Sequence, residues 1–136
     1  MKTVSDAARV AGARLVGITT EHLKGVLKPG VDEAVVAPDL PERKALLLER
    51  SDALILLPGG IGSIDEFTEI LERKKHGHHE KRMLVLNING FYDGFELQLL
   101  RMEREGFLPR PLTELIRFTV SPEHAMEILD GGSPRY

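Results

Sequence analysis

The 136-residue sequence predicts an α/β fold built on a parallel β-sheet. Strand and helix patterns alternate along almost the whole chain, and helices of about 10 to 15 residues separate the strands, as in right-handed βαβ units. In addition, the run DALILLP at residues 52–58 is apolar at consecutive positions, which indicates a strand buried on both faces. We expect these units to form a single domain over residues 1–136.

The first part of the chain contains two predicted helices and two predicted strands. Valine and alanine at helical spacing predict a helix in TVSDAARVAG (3–12), which its final glycine ends. Short apolar runs predict strands in RLVGIT (14–19) and EAVVAP (33–38), with a loop at about 20–30 between them. LPERKALLLERS (40–51) has the pattern of a second helix.

The second part of the chain continues the alternation after the buried strand. Gly77 and Gly106 are placed to end helices. Ser121 is a good N-cap, and Pro122 suits the first position of the helix that follows it. The predicted elements are a helix in SIDEFTEILERKKHG (63–77), a strand in RMLVLNI (82–88), a helix in YDGFELQLLRMEREG (92–106), a strand in LIRFTV (115–120) and a helix in SPEHAMEILD (121–130).

The composition excludes several classes of protein. There is no cysteine, which excludes disulfides and thiolate zinc sites and suits a reducing compartment, so we expect a cytoplasmic protein. No apolar run approaches about 18 residues, so we expect no membrane span. A formal net charge of −3, no tryptophan and two tyrosines argue against a nucleic-acid-binding surface.

The segment LILLPGGIGSIDEFTEI (54–70) combines the end of a strand with the start of a helix. Its three glycines allow positive φ and the close approach of a ligand. The helix, which we expect to begin near Ser63, points its free N–H groups and positive dipole end at this turn. Ligands of parallel sheets bind at the carboxyl ends of strands. The predicted phosphate cradle therefore consists of Pro58, Gly59, Gly60, Ile61, Gly62 and Ser63.

Glu66 has two possible roles. Ser63 and Glu66 match the Ser-x-x-Glu capping box, in which each side chain satisfies a free N–H group of the first helical turn. Alternatively, Glu66 is a catalytic carboxylate, with Glu69 one helical turn further along. Such carboxylates would face a ribose, because they hydrogen-bond sugar hydroxyls and stabilise an oxocarbenium-like centre. The spacing alone leaves both roles open.

Two cations lie in PERK, at the start of the preceding helix. Arg43 could bind phosphate or carboxylate with two parallel hydrogen bonds. Lys44 could do the same work as a point charge, or could belong to a solvated helix end.

These motifs resemble those of one known family. PGGIGSIDE resembles the PGGxGTxxE signature of the Lonely Guy (LOG) family, with Ser63 in place of threonine, and LPERK resembles its MxxRK motif, with Leu40 in place of methionine. The likeness continues through residues 76–108 and covers nearly the whole chain. Members are cytokinin riboside 5′-monophosphate phosphoribohydrolases, long mistaken for lysine decarboxylases.

The resemblance implies a Rossmann-like fold, a homodimer with active sites at or near the subunit interface, and no cofactor or metal. It implies hydrolysis of the N-glycosidic bond of a purine nucleoside 5′-monophosphate, with Arg43 and Glu66 as the catalytic pair. Lys44, the cradle and Glu69 would bind the substrate. Because Arg73 and Lys75 replace a tryptophan and a glutamine common in plant-like members, AMP and a cytokinin riboside monophosphate are both plausible substrates. The alternative is a nucleotide-binding or carrier protein without turnover.

The N-terminus departs from the family pattern. Members begin with a strand, a helix and a second strand that ends in a GGGxxGLMG loop. Met1 resembles the methionine of that loop, and Lys2 stands where glycine is usual. We therefore expect this chain to lack the N-terminal strands and the glycine-rich loop, and its nucleotide site to be partial.

Other polar residues have simpler explanations. HGHHE (76–80) reads as a helix end flanked by cations, and its spacing matches no zinc signature. Asn87 and Asn89 could contact a ligand, but NING is also an ordinary turn. Tyr92 is expected to pack rather than to catalyse. A pyridoxal-dependent decarboxylase is disfavoured, because the chain is too short for that cofactor's fold.

Overall fold

The computed structural model describes residues 2–26 and 30–131, apart from three side chains in the first range. It divides into two compact units, Met1–Arg50 and Ser51–Tyr136, and each is described by itself. Met1, which carries part of the resemblance to the glycine-rich loop, lies outside the described residues. Within the described ranges, no helix combines the length and the apolarity needed to cross a membrane.

The first unit is a parallel pair of strands with a helix packed on it. β1 and β2 pair in parallel, with Ile18 opposite Val35, and α2 contacts both strands. The loop predicted at 20–30 contains a 3-10 helix, which the sequence pattern did not indicate. The elements are α1 (Lys2–Val10), β1 (Val16–Thr20), the 3-10 helix (Glu21–Val26), β2 (Glu33–Ala37) and α2 (Leu40–Glu49).

The second unit is a three-stranded parallel sheet with helices. Its strand order is β3-β4-β5, and both pairings are parallel. The prediction of an α/β fold with parallel strands and flanking helices is therefore confirmed. The elements are β3 (Ala53–Leu56), α3 (Ile61–Lys75), β4 (Arg82–Leu86), a 3-10 helix (Ile88–Gly90), α4 (Asp93–Arg104), α5 (Leu112–Leu115), β5 (Arg117–Thr119) and α6 (Pro122–Leu129).

The core of the second unit lies on the central strand β4. Four consecutive residues of β4 are buried, and Phe67 and Ile70 of α3 are buried as well. The prediction that DALILLP is buried on both faces is wrong for Ile55, which is 37% exposed. Its strand, β3, is an outer strand of this three-stranded sheet, whereas β4 has a neighbour on each side. The buried residues of β4 are Met83, Leu84, Val85 and Leu86.

The helix ends confirm most of the predicted capping and terminating residues. Gly77 has a φ of +76°, and the N–H groups of Gly77 and His78 donate to the last-turn carbonyls of α3, which is a Schellman motif. Gly106 ends α4 with a φ of +80°. At the start of α6, the Ser121 hydroxyl accepts a hydrogen bond of 3.0 Å from the His124 N–H.

The strand predicted at 115–120 is shorter than expected. Its first residue belongs to α5, and β5 spans only Arg117–Thr119. The Glu103 carboxylate accepts a 2.6 Å hydrogen bond from the N–H of Leu112, the first residue of α5. The capping of this single helical turn explains why the strand is shorter than predicted. The capping partner is nine residues away, so no local sequence pattern indicates it.

Candidate functional site

The glycine turn joins the end of β3 to the start of α3. Gly60 is the N-cap residue, in an extended conformation with φ −84° and ψ −171°. The first intrahelical hydrogen bond runs from the Ser63 N–H to the Gly60 carbonyl oxygen, over 3.0 Å. Glycine has no side chain with which to cap a helix, and the N–H groups of Ile61 and Gly62 have no carbonyl one turn earlier to accept them. The turn therefore offers donors to an anion at the positive end of a 15-residue helix.

Of the two reasons predicted for these glycines, a positive φ is wrong. Among the described glycines with positive φ, none belongs to this turn. At Gly59 a Cβ atom would crowd the Ser63 side chain, 2.6 Å from its Oγ atom and 3.2 Å from its Cβ atom. Cβ atoms at Gly60 and Gly62 would meet nothing within 4 Å. Open space beside these two residues leaves room for a ligand to approach the backbone.

The capping-box role of Ser63 and Glu66 is wrong. α3 begins at Ile61 and not near Ser63, so Ser63 is the third helical residue and Glu66 lies in the second turn. The helix starts early because Gly60 takes the extended N-cap conformation. The side chain of Glu66 is consequently not required at the helix terminus.

Two predicted carboxylates lie on α3 behind the turn. Glu66 and Glu69 are both partly buried and are three residues apart, which is one helical turn. The Glu69 Oε1 atom accepts a hydrogen bond of 3.1 Å from the Arg73 guanidinium, so its orientation is fixed by the next turn of the helix.

Tyr92, in the loop that follows the neighbouring strand β4, contacts the turn. Its hydroxyl donates a hydrogen bond of 2.8 Å to the Leu57 carbonyl oxygen, and its side chain is buried. Burial raises the pKa of the Tyr92 hydroxyl, while the backbone amide of Gly59, which faces the same oxygen, lowers it. Tyr92 is therefore buried as predicted, but the sequence did not indicate that it reaches the cradle.

Asn87 positions Tyr92. Its Oδ1 atom accepts a 2.7 Å hydrogen bond from the Tyr92 N–H, and its Nδ2 group donates to Asp93 Oδ1 over 2.8 Å. Asn87 is buried, whereas Asn89 is exposed and has a φ of +54°. Of the two interpretations of NING, the structure supports the turn, since the side-chain oxygen and nitrogen of Asn87 both form hydrogen bonds within the loop.

The first unit contains the other two predicted site residues. Arg43 lies in the first turns of α2, whose N-cap Asp39 accepts a 2.8 Å hydrogen bond from the Glu42 N–H. The Arg43 Nε group donates to the Ile18 carbonyl oxygen of β1 over 2.9 Å. Burial lowers the pKa of the Arg43 guanidinium. Lys44 follows it on the same helix and is also partly buried.

The histidines after α3 form local contacts. His76 Nε2 lies 2.9 Å from Glu72 Oε1, and His79 Nε2 lies 2.9 Å from the Ile70 carbonyl oxygen. Among residues 2–26 and 30–131, no group of three or more histidine and carboxylate side chains is placed to hold a metal ion.

Comparison with known proteins gives a consistent result. Residues 1–129 match the profile of the family described as possible lysine decarboxylase. A probable cytokinin riboside 5′-monophosphate phosphoribohydrolase of Oryza sativa subsp. japonica is 29% identical over 138 residues, covering 100% of this chain and 55% of the relative. Two bacterial proteins have the name cytokinin riboside 5′-monophosphate phosphoribohydrolase. The one from Mycobacterium marinum is 34% identical (84% of this chain, 62% of the relative), and the one from Rhodococcoides fascians is 35% identical (79% and 56%). The chain thus spans little more than half the length of the curated relatives it matches.

Proposed function

Because this chain belongs to the possible lysine decarboxylase family, which is the Lonely Guy family, we propose that it hydrolyses the N-glycosidic bond of a purine nucleoside 5′-monophosphate. The products are the free base and ribose 5-phosphate. The observation that carries the proposal is the turn from Gly59 to Gly62, where uncapped N–H groups and open space meet the positive end of α3. The relatives' names support a cytokinin riboside monophosphate as substrate, and AMP is the simplest purine analogue.

In the proposed mechanism, the cradle binds the 5′-phosphate through the N–H groups of Ile61 and Gly62. The bond between the ribose C1′ atom and the base nitrogen breaks, the base leaves with a proton, and water supplies the hydroxyl group at C1′. Glu66 stabilises the developing ribosyl cation or orients the water. The resemblance of LPERK to the family's MxxRK motif supports a role for Arg43 and Lys44 in substrate binding, as sources of positive charge. Glu69, oriented by Arg73, binds a ribose hydroxyl group.

The test is release of free base, measured chromatographically. AMP and a cytokinin riboside 5′-monophosphate are incubated with the 136-residue chain and, separately, with a chain extended to the length of the relatives. Glu66→Gln should lower the rate by about 100-fold or more, the usual scale for loss of an acid–base or electrostatic group. Glu72→Gln is the matched control, since Glu72 lies on the same helix, is exposed and pairs with Lys75 and His76.

Two results would count against hydrolysis. If neither chain releases base from either nucleotide while both bind it, the protein is a nucleotide-binding module without turnover. If Glu66→Gln and Glu72→Gln release base equally fast, Glu66 has no catalytic role.

We also propose that the chain forms a homodimer in the cytoplasm. Large apolar side chains on and before α4 support self-association: Phe91 is 57% exposed, Leu97 65% and Leu100 39%. The cysteine-free sequence supports a reducing compartment. Sedimentation equilibrium should give twice the monomer mass, and Leu97→Glu should halve it, whereas Gln98→Glu at the next exposed position should not. A monomeric wild-type chain would contradict the dimer.

A further inference from the structure

A cavity of about 530 Å³ lies in the second unit, at the amino-terminal ends of the strands, whereas the glycine turn lies at their carboxyl ends. Arg82 and Arg117, the first residues of β4 and β5, line it. Because the strands are parallel, their first residues lie at the same end of the sheet. The glycine turn follows the last residue of β3, at the opposite end. At about 3.3 Å per residue, the strands separate the two places by roughly 15 Å. The cavity is therefore distinct from the cradle.

The cavity is lined by more cations than anions. Four basic side chains and two carboxylates contribute to its wall, which leaves a formal charge of +2. The basic residues are Lys74, Arg82, Arg110 and Arg117, and the acidic ones are Glu80 and Glu114.

Both carboxylates are paired with the same arginine. Arg110 donates to the two oxygens of Glu80 over 2.7 and 3.1 Å, and its Nε group lies 3.4 Å from Glu114. This arrangement holds the pKa of the Glu80 carboxyl below its usual value, mainly through the hydrogen bonds from Arg110. Lys74 also interacts electrostatically with Glu80, whereas Arg82 and Arg117 have no carboxylate partner among the described residues.

Each of those three cations has a different environment. Lys74 is only 5% exposed, and its Nζ group donates to the Lys81 carbonyl oxygen over 3.0 Å. Arg82 donates to the Leu129 carbonyl oxygen. For the Arg117 side chain, the described part of the chain provides no hydrogen-bond or ion-pair partner. The buried charge of Lys74 and the half-buried Arg117 guanidinium, which has no partner among the described residues, both favour an anion in the cavity.

The rest of the wall is apolar. It could cover the carbon skeleton of a ligand whose charged group meets the cations. The apolar residues are Met83, Leu84, Leu115, Ile116 and Ile128.

We propose that this cavity is a second ligand site, which binds a small organic phosphate monoester. A phosphate monoester has a charge of about −1.5 to −2 at neutral pH, which matches the excess positive charge of the wall. Its oxygens can accept hydrogen bonds from Arg117 and Lys74, and its organic part fits the apolar wall. The proposal does not depend on the hydrolase function, because it uses none of the cradle residues.

The experiment must separate this site from the cradle. Phenyl phosphate is titrated calorimetrically into the 136-residue chain with Gly60→Asp, which places a carboxylate at the cradle where a side chain meets nothing within 4 Å. In that background, Arg117→Met should raise the Kd by about tenfold, the scale of one lost charge-assisted hydrogen bond. Arg104→Met, which removes an exposed arginine of α4 outside the cavity, should change the Kd by less than about twofold.

Two further results complete the test. Phenol should not bind, because it lacks the phosphate. Amide resonances of Thr113 and Gly131 should shift with phenyl phosphate, a measurement that stands even if Arg117→Met does not fold. Absence of saturable binding in the Gly60→Asp background, equal effects of the two arginine variants, or shifts confined to residues outside the cavity would each overturn the proposal.

Discussion

The hydroxyl group of Tyr92 donates a 2.8 Å hydrogen bond to the carbonyl oxygen of Leu57, which lies 35 residues earlier in the chain. Leu57 is the first residue after β3, and Tyr92 follows the loop after β4. Asn87 accepts from the Tyr92 N–H and donates to Asp93, so hydrogen bonds join the carboxyl ends of two neighbouring strands. A buried contact of this kind restrains the glycine turn from outside it, as a preorganised anion site requires.

Removal of the Tyr92 hydroxyl should therefore affect both stability and binding. We expect Tyr92→Phe to lower the free energy of unfolding by about 1 to 2 kcal/mol, because the Leu57 carbonyl loses its donor. We also expect AMP affinity to fall by roughly threefold to tenfold, because the N–H groups of the turn lose part of their restraint. Urea denaturation and equilibrium titration measure the two effects.

Thr68→Val is the control for Tyr92→Phe. It also removes a hydroxyl group from the second unit, but among the described residues Thr68 bonds only to carbonyls of its own helix, at Ile64 and Asp65. It should leave AMP affinity unchanged. If Tyr92→Phe loses stability without any change in AMP affinity, Tyr92 supports the fold but does not position the turn.

Asn87 gives a prediction about charge. In Asn87→Asp, an oxygen replaces the Nδ2 group that donates to Asp93 Oδ1 over 2.8 Å, so two carboxylates would face each other. We expect a loss of about 2 kcal/mol or more at pH 7, since the substitution places a new charge at a buried position and sets it against the like charge of Asp93. Protonation of one carboxyl group would restore the hydrogen bond, so the loss should shrink between pH 7 and pH 4.

Asn89→Asp makes the same charge change two residues away. Asn89 is exposed, and aspartate tolerates its left-handed conformation. Its stability should stay close to that of the wild type at every pH. Equal destabilisation by the two variants would show that Asn87 has no special role in the loop.

Most of the element order was predictable because its signals are local. A helix start is recognisable from Ser121 and Pro122 alone, and a helix end from Gly77 after a basic last turn. The apolar run of β4 and the helical spacing of α3 depend on periodicity alone. The turn was also placed correctly between β3 and α3, since a proline and three glycines there leave few alternatives to a turn.

The parts that were missed depend on distant contacts. α5 is capped by a carboxylate nine residues earlier, and Tyr92 bonds to a carbonyl 35 residues earlier. The N-cap of α3 was misplaced because Ser63 has the stronger intrinsic preference, while the backbone gives that position to Gly60. Serine at the third helical position instead faces Gly59, and only the three-dimensional turn reveals this contact.

Two glycines of the turn, Gly59 and Gly62, should respond differently to alanine. At Gly59 the new Cβ atom would lie 2.6 Å from Ser63 Oγ, which can rotate away, and 3.2 Å from Ser63 Cβ, which cannot, so Gly59→Ala should cost about 1 kcal/mol of stability through overpacking. At Gly62 a Cβ atom meets nothing within 4 Å, and alanine in a helix should stabilise by about 0.5 to 1 kcal/mol. Thermal and urea denaturation of the two variants give the comparison.

A double variant tests the cause. Ser63→Ala removes the crowded oxygen but keeps a Cβ atom 3.2 Å away, so it should recover part of the loss in Gly59→Ala. No recovery would mean that the glycine is needed for its backbone conformation, and not for the space beside Ser63.

Lys74 should make stability depend on alkaline pH. Burial lowers its pKa below the ordinary value of 10.5. Below both pKa values the folded protein contains a charge that burial disfavours. As pH rises from the folded pKa towards 10.5, the unfolded chain still binds a proton that the folded one has released, so the free energy of unfolding increases with pH. Lys74→Met has no such group.

The measurement is the difference in unfolding free energy between wild type and Lys74→Met, from pH 7 to about 10.5. As pH rises, the unfolding free energy of the wild type should increase relative to that of Lys74→Met. The hydrogen bond to Lys81 that the variant loses changes this difference by a constant amount, so only its slope with pH is informative. Arg104→Met is the control, since an arginine does not titrate in this range. Parallel pH profiles for wild type and Lys74→Met would mean that Lys74 stays charged at no cost, and the cavity beside it would then need no anion.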